Sequence, residues 1–199
     1  MSTEIGTRPY RMKERARRQE DTRRRIAAAT AELHQEVGPA RTTIAEIARR
    51  AGVRRPTVYS NFPEERELFA ACQAHFLETN PPPDPSPALA LPDPGERVRA
   101  VLTAFYAWYR ITAPMSSKAQ RDRRVLPELD ALLTETGDAG LDALASALAD
   151  GLEGDTRRVR SLLRVSLDFL TWERLTAGGL SDGEAAGLMA DAVRGVTEA

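Results

Sequence analysis

The chain has 199 residues, of which 42% are hydrophobic and 29% charged, with a formal net charge of −1. That length suits one globular unit or two small ones and is enough to bury a core. The lone cysteine, Cys72, excludes an intrachain disulfide and fits a reducing cytoplasm, and no apolar run reaches the roughly 18 residues a membrane helix needs.

Residues 1–6 lack the apolar stretch of a secretory signal, so none is expected. His34 and His75 stand far apart and Cys72 has no companion, so neither a metal nor a cofactor is expected. The small net charge hides an asymmetry. Residues 1–62 carry 14 Lys and Arg against 7 Asp and Glu, whereas the remainder carries 14 against 22. A basic front on an acidic body predicts a polyanion-binding module joined to something else.

Residues 1–20 are basic and poor in apolar side chains, and read as a partly disordered arm. From residue 21, Ile26, Thr30, Leu33 and Val37 recur along one helical face until Gly38-Pro39 stops it. Thr43-Ile44-Ala45-Glu46 has the pattern of a capping box, predicting a second helix whose apolar side is Ile44, Ile47, Ala48 and Ala51. Gly52 follows where a left-handed turn residue is needed. A third short helix is expected from Arg55 to Phe62, with Pro56 tolerated in its first turn. A fourth starts at Pro63-Glu64-Glu65 and must stop before Pro81-Pro82-Pro83. Residues 81–94 hold seven prolines in fourteen positions and read as a stiff linker between a domain over 21–80 and another over 95–199.

Beyond the linker, periodic apolar residues predict a helix over 98–112 ending near Pro114, a short one over 126–133, and one over 141–152. The most apolar helix spans 157–177, and a last one covers 181–197. No alternating β-branched run appears, so the fold class is all-α: an N-terminal three-helix helix-turn-helix domain followed by an all-helical domain.

Two short helices joined by a tight glycine turn make a helix-turn-helix at about residues 43–62, whose second helix enters the major groove. Arg54 and Arg55 stand at the start of that helix, and an arginine can grip guanine O6 and N7 with two hydrogen bonds. Thr57, Tyr59 and Asn61 add hydroxyl and amide groups suited to phosphate or base contact. Taken together, the run from Thr42 to Val53, the run Thr57-Val58-Tyr59-Ser60-Asn61-Phe62-Pro63, and Leu68-Phe69 resemble the N-terminal domain of TetR-family transcriptional regulators over roughly residues 22–79. The resemblance implies a homodimer with two heads on a palindromic operator in double-stranded DNA, usually a repressor released by a small apolar or amphipathic ligand. Position by position, it places DNA contacts on Arg41, Thr42, Thr43, Arg54, Arg55, Thr57, Tyr59 and Asn61.

Two departures stand out. Arg54 occupies a position where the family often has a capping serine. Glu65 occupies one where the family often has a phosphate-touching lysine, and its charge repels phosphate. The basic arm before residue 25 is expected to supply the missing contacts, with Arg66 as the other option.

In the second domain, Phe105, Trp108, Tyr109, Thr112, Met115, Phe169, Trp172 and Glu173 are candidate ligand-pocket residues, mostly apolar with a few polar tips, and the break after Pro114 is a candidate mouth. The helices over 157–177 and 181–197 are expected to pair with those of a second copy as a four-helix bundle. The alternatives are a ligand-independent regulator, an activator, a helical dimeric enzyme or a structural protein. The enzyme has no obvious acid pair, Cys/His couple or glycine-rich phosphate loop, and the structural protein leaves the basic front half without a purpose. A cytoplasmic protein without membrane contact is expected.

Overall fold

The computed structural model describes residues 7–197, with side-chain surroundings from Met12 onward. The helices are α1 (Thr7–Glu36), α2 (Ile44–Ala51), α3 (Arg55–Asn61), α4 (Glu65–Thr79), α5 (Ser86–Leu89), α6 (Pro94–Asp122), α7 (Pro127–Leu133), α8 (Ala139–Ala149), α9 (Thr156–Ser166), α10 (Phe169–Ala177) and α11 (Asp182–Thr197). Among the described residues there is no strand, as expected for the all-α class, and no helix is long and apolar enough to cross a membrane.

α1 begins at Thr7, so the stretch 7–20, expected as a partly disordered arm, is helical; residues 1–6 lie outside the described part. Residues 12–21 of α1 are exposed, while Ile26, Ala29, Thr30 and Leu33 are buried. Val37 lies just past the helix end and is 39% exposed, so it does not prolong the apolar stripe. Ile26 and Leu33 close a small core with Ile47, Ala48 and Ala51 of α2, Val58 of α3, Phe62 and Leu68. This core packs the helix-turn-helix against α1.

The linker is not simply extended. It contains the one-turn helix α5, and Asp93 then accepts a hydrogen bond from the Glu96 amide at 2.7 Å to start α6. α6 differs most from expectation. It runs through Pro114 for 29 residues instead of ending there, so the break expected at Pro114 is absent. Proline removes one backbone donor and normally kinks or stops a helix. Here the two halves are held by different cores. Val98, Val101, Leu102, Phe105, Tyr106 and Tyr109 lie in the core of the second domain, whereas Met115 packs with Ala31, Cys72 and Phe76 of the first. Packing at both ends outweighs the local cost of about 3 kcal/mol.

The apolar stretch 157–177 is also not one helix. α9 ends at Ser166 and α10 restarts at Phe169, with the Asp168 carboxylate accepting from the Leu170 amide at 2.8 Å. The carbonyls released at this break are used: the Tyr106 hydroxyl donates to Ser166 O at 2.7 Å and the Tyr109 hydroxyl to Leu167 O at 2.5 Å. A buried carbonyl left without a partner would cost about 1–3 kcal/mol. The residue pattern is apolar enough for one helix, but two tyrosines on α6, 60 and 58 positions earlier in the chain, make the interruption tolerable.

Candidate nucleic-acid interface

The frame of the helix-turn-helix is built locally. The Thr43 hydroxyl accepts from the Glu46 amide at 3.2 Å, which opens α2. Glu46 does not complete the reciprocal capping box; its carboxylate pairs instead with Arg49 one turn on. Gly52 closes α2 in the left-handed conformation, φ 65°, which a side chain rarely adopts. Two arginines of α1 then bind helix ends: Arg25 donates to Ala51 O at 3.2 Å, and Arg23 donates to Asn61 O while its guanidinium lies 4.2 Å over the Phe62 ring. A cation on C-terminal carbonyls is favourable there. Part of the basic front half is therefore spent holding α2 and α3 in place.

Arg18 and Arg49 are paired with Glu14 and Glu46. Arg41, Thr43, Arg54, Arg55 and Tyr59 are exposed, and Thr42 and Thr57 are half-buried. Tyr59 is 57% exposed although its neighbour Val58 is fully buried. Among the described residues, Arg41, Arg54 and Arg55 enter no ion pair, in contrast to Arg50, which is bonded to Glu36. Thr42 is held by its hydroxyl, which donates to Gly38 O at 2.9 Å. Asn61 is the exception in the expected set. It is 8% exposed, and its side-chain amide donates to Thr57 O at 2.7 Å. It lies one turn after the buried Val58, on the same helical face, and so faces inward rather than outward with Tyr59.

At α4, Glu65 is exposed. Arg66, the other option for the missing lysine, is drawn to Glu135 in the turn after α7, and Gln73 of α4 bonds Thr136 at 3.0 Å. These two contacts tie α4 to the second domain.

The candidate pocket residues do not form one cavity. Phe105, Tyr109, Phe169 and Trp172 pack ring on ring, with Tyr109–Phe169 centroids 5.4 Å apart and Phe169–Trp172 centroids 5.3 Å apart. Their polar neighbours are occupied: Trp108 donates to Asn80 O at 3.1 Å, Trp172 to Asp182 at 2.9 Å, Thr112 to Trp108 O at 3.0 Å, and Glu173 accepts from Ser117. Met115 belongs to the separate cluster under α4. An open groove of about 520 Å³ lies elsewhere, along α9 and the end of α11, lined by residues that include Arg157, Arg158, Leu162, Val165 and Val196.

No Cys/His couple is visible in the residue order, yet the fold makes one: Cys72 Sγ lies 3.4 Å from His34 Nδ1 between α1 and α4. Thirty-eight residues separate the two, so no short motif announces the contact. Burial pushes the thiol up to about 12 and the imidazole down to about 4, with the Asp122 carboxylate pulling the imidazole the other way. Both groups are therefore neutral near pH 7, and no thiolate is available there. Folded His34 binds its proton less readily than the ordinary 6.5 of an unfolded chain. The contribution of a neutral His34 to stability is thus complete above that value and is lost as pH falls toward about 4, on the order of 3 kcal/mol. Urea unfolding of His34→Gln at pH 5 and pH 7 should show a smaller difference between the two pH values than the unaltered chain; an equal difference would exclude His34 as its source.

The geometry defines an all-helical protein with a helix-turn-helix head on a helical body. Residues 26–72 match the model of "Bacterial regulatory proteins, tetR family". The uncharacterized HTH-type transcriptional regulator Rv2250c of Mycobacterium tuberculosis is 51% identical over 51 residues, which is 26% of this chain and 27% of that protein's length. A transcriptional regulator from Rhodococcus sp. Rha1 (RHA1_ro04179) shares the fold with TM-score 0.63 at 17% identity, covering 88% of this chain and 96% of its own. A TetR transcriptional regulator from Rhodococcus sp. RHA1 does so with TM-score 0.51 at 24% identity, covering 90% and 97%. By sequence over residues 26–72 the head is similar to that of the tetR family of bacterial regulatory proteins, and the fold of the two solved regulators extends over nearly the whole chain.

Proposed function

We propose that this chain is a homodimeric transcriptional regulator that binds a palindromic operator in double-stranded DNA through α2 and α3 of each subunit, and that it represses. The observation that carries this reading is the exposed, unpaired set Arg41, Arg54 and Arg55, with Thr43 and Tyr59, on a helix-turn-helix whose own core closes behind it. Arg54 and Arg55 suit guanine edges and phosphates, and the threonines and Tyr59 suit phosphate oxygens. Asn61 contributes by holding the end of α3. α9 with α10, and α11, supply the dimer surface, since Val165 and Leu188 on them are 53% and 50% exposed. The protein acts in the cytoplasm in this reading. Mobility shift on its own upstream DNA at two salt concentrations tests it: specific retention that weakens with salt is expected, and retention no better than on unrelated DNA overturns it.

Residues 12–21 of α1 are exposed and include Lys13, Arg15, Arg17 and Arg18, the last of them paired with Glu14. With Arg66 engaged by Glu135 and Glu65 acidic, this segment supplies the phosphate contacts that α4 lacks. A chain without residues 1–17 is expected to bind at least tenfold more weakly and with a shallower salt dependence, by about 0.9 in slope for each phosphate no longer neutralised. Unchanged affinity and slope would assign those contacts elsewhere.

A regulator without a small-molecule ligand is the second reading, favoured by the closed aromatic cluster around Tyr109. In the ligand-responsive version an apolar or amphipathic molecule has to part these rings, and the emission of Trp108 and Trp172 would report its entry.

A further inference from the structure

We propose that Asp122, the last residue of α6, is a positioning residue for DNA binding: it clamps the turn that presents Arg41, Thr42 and Thr43. This rests on the DNA-binding reading above. Asp122 is 4% exposed although it is an acid at a helix end. Its Oδ2 accepts from the Ala40 amide at 3.0 Å, across 82 positions of sequence. Arg121 holds the same carboxylate, with Nε to Oδ1 at 2.6 Å and Nη2 to Oδ2 at 3.1 Å, and also reaches Val37 O at 3.4 Å. The turn fits this clamp closely. Gly38 has φ +93°, and a Cβ there would meet Asp122 Oδ2 at 2.6 Å.

The clamped segment leads directly into the reading head. Arg41 N bonds Gly38 O at 3.3 Å, Thr42 N bonds Pro39 O at 3.1 Å, and Thr42 Oγ1 bonds Gly38 O at 2.9 Å. Thr43 then caps α2. The placement of Arg41 and of the first amides of α2 thus depends on a backbone held by α6. The other half of α6 lies in the core of the second domain, so one rod joins that core to the turn.

Two effects of removing Asp122 have opposite signs. A carboxylate close to the DNA-facing side repels phosphate, so by charge alone its removal tightens binding. If it positions the turn, its removal weakens binding, because Arg41 and the start of α2 are no longer held for phosphate. The full chain would be titrated with fluorescent operator DNA at two salt concentrations, with Asp122→Ala beside Asp122→Asn. Asparagine removes the charge but keeps an acceptor for the Ala40 amide.

Asp122→Ala is expected to bind about tenfold more weakly, with a salt slope shallower by the equivalent of about one phosphate, while Asp122→Asn stays within about threefold of the unaltered chain. Should Asp122→Ala not fold, Asp122→Ser, polar but too short to reach Ala40, takes its place. Tighter or equal binding by the alanine variant overturns the inference and leaves the DNA-binding reading standing. Equal weakening of the alanine and asparagine variants at an unchanged salt slope, as general destabilisation would give, also overturns it. No specific binding by the unaltered chain overturns both readings.

Discussion

Replacing Arg55 and Tyr59 together by alanine is expected to lower affinity for specific DNA at least a hundredfold while leaving the fold intact. The two residues are four apart on α3, so they share one helical face, and both are exposed. A good bidentate arginine contact discriminates by about 1–3 kcal/mol, and a symmetric dimer forfeits it twice. The cost to folding is small because the buried side of α3 is Val58 and Asn61, with Phe62 just beyond its end. Exposed substitutions away from caps and cores usually stay within about 0.5 kcal/mol. Fluorescence anisotropy with operator DNA, beside a thermal unfolding curve, separates the two quantities. Affinity within threefold of the unaltered chain would mean that α3 does not read the DNA.

The second large effect is expected at the dimer surface. Val165→Glu combined with Leu188→Glu should give a sedimentation mass near one subunit at micromolar concentration and reduce operator binding more than a hundredfold. In the free chain both side chains are exposed, at 53% and 50%, so the glutamates cost the monomer little. In a two-fold bundle each glutamate is buried against an apolar surface without a partner cation, and that costs several kcal/mol per ion. Without the dimer, the fixed spacing between two recognition helices is gone. A variant that stays dimeric would place the interface away from α9 and α11.

Much of the head is legible from residue order because its determinants are local. The Thr43 cap, the Gly52 turn and the stripe Ile47, Ala48 and Ala51 act within a few residues of themselves. The outward set Arg54, Arg55 and Tyr59 follows once α3 is placed. Asn61 reads as outward in the sequence and lies inward in the fold, because it shares a helical face with the buried Val58. The body is less legible. Pro114 reads as a stop, and only the separate packing of the two halves of α6 keeps the helix going. The aromatic residues read equally well as a pocket or a core; ring-on-ring packing and fully engaged polar tips make them a core in this structure.

The residue order by itself determined the helical class, the helix-turn-helix and the arginines that face away from its core, since caps, turn glycines and periodicity are short-range properties. Only the tertiary structure decided which cations are free and which are tied to carbonyls or carboxylates. It also brought Cys72 to His34, and Asp122 to the amide of Ala40. Those contacts join positions far apart in the chain, and their cause is the packing of α1, α4 and α6 against one another, which no local pattern encodes.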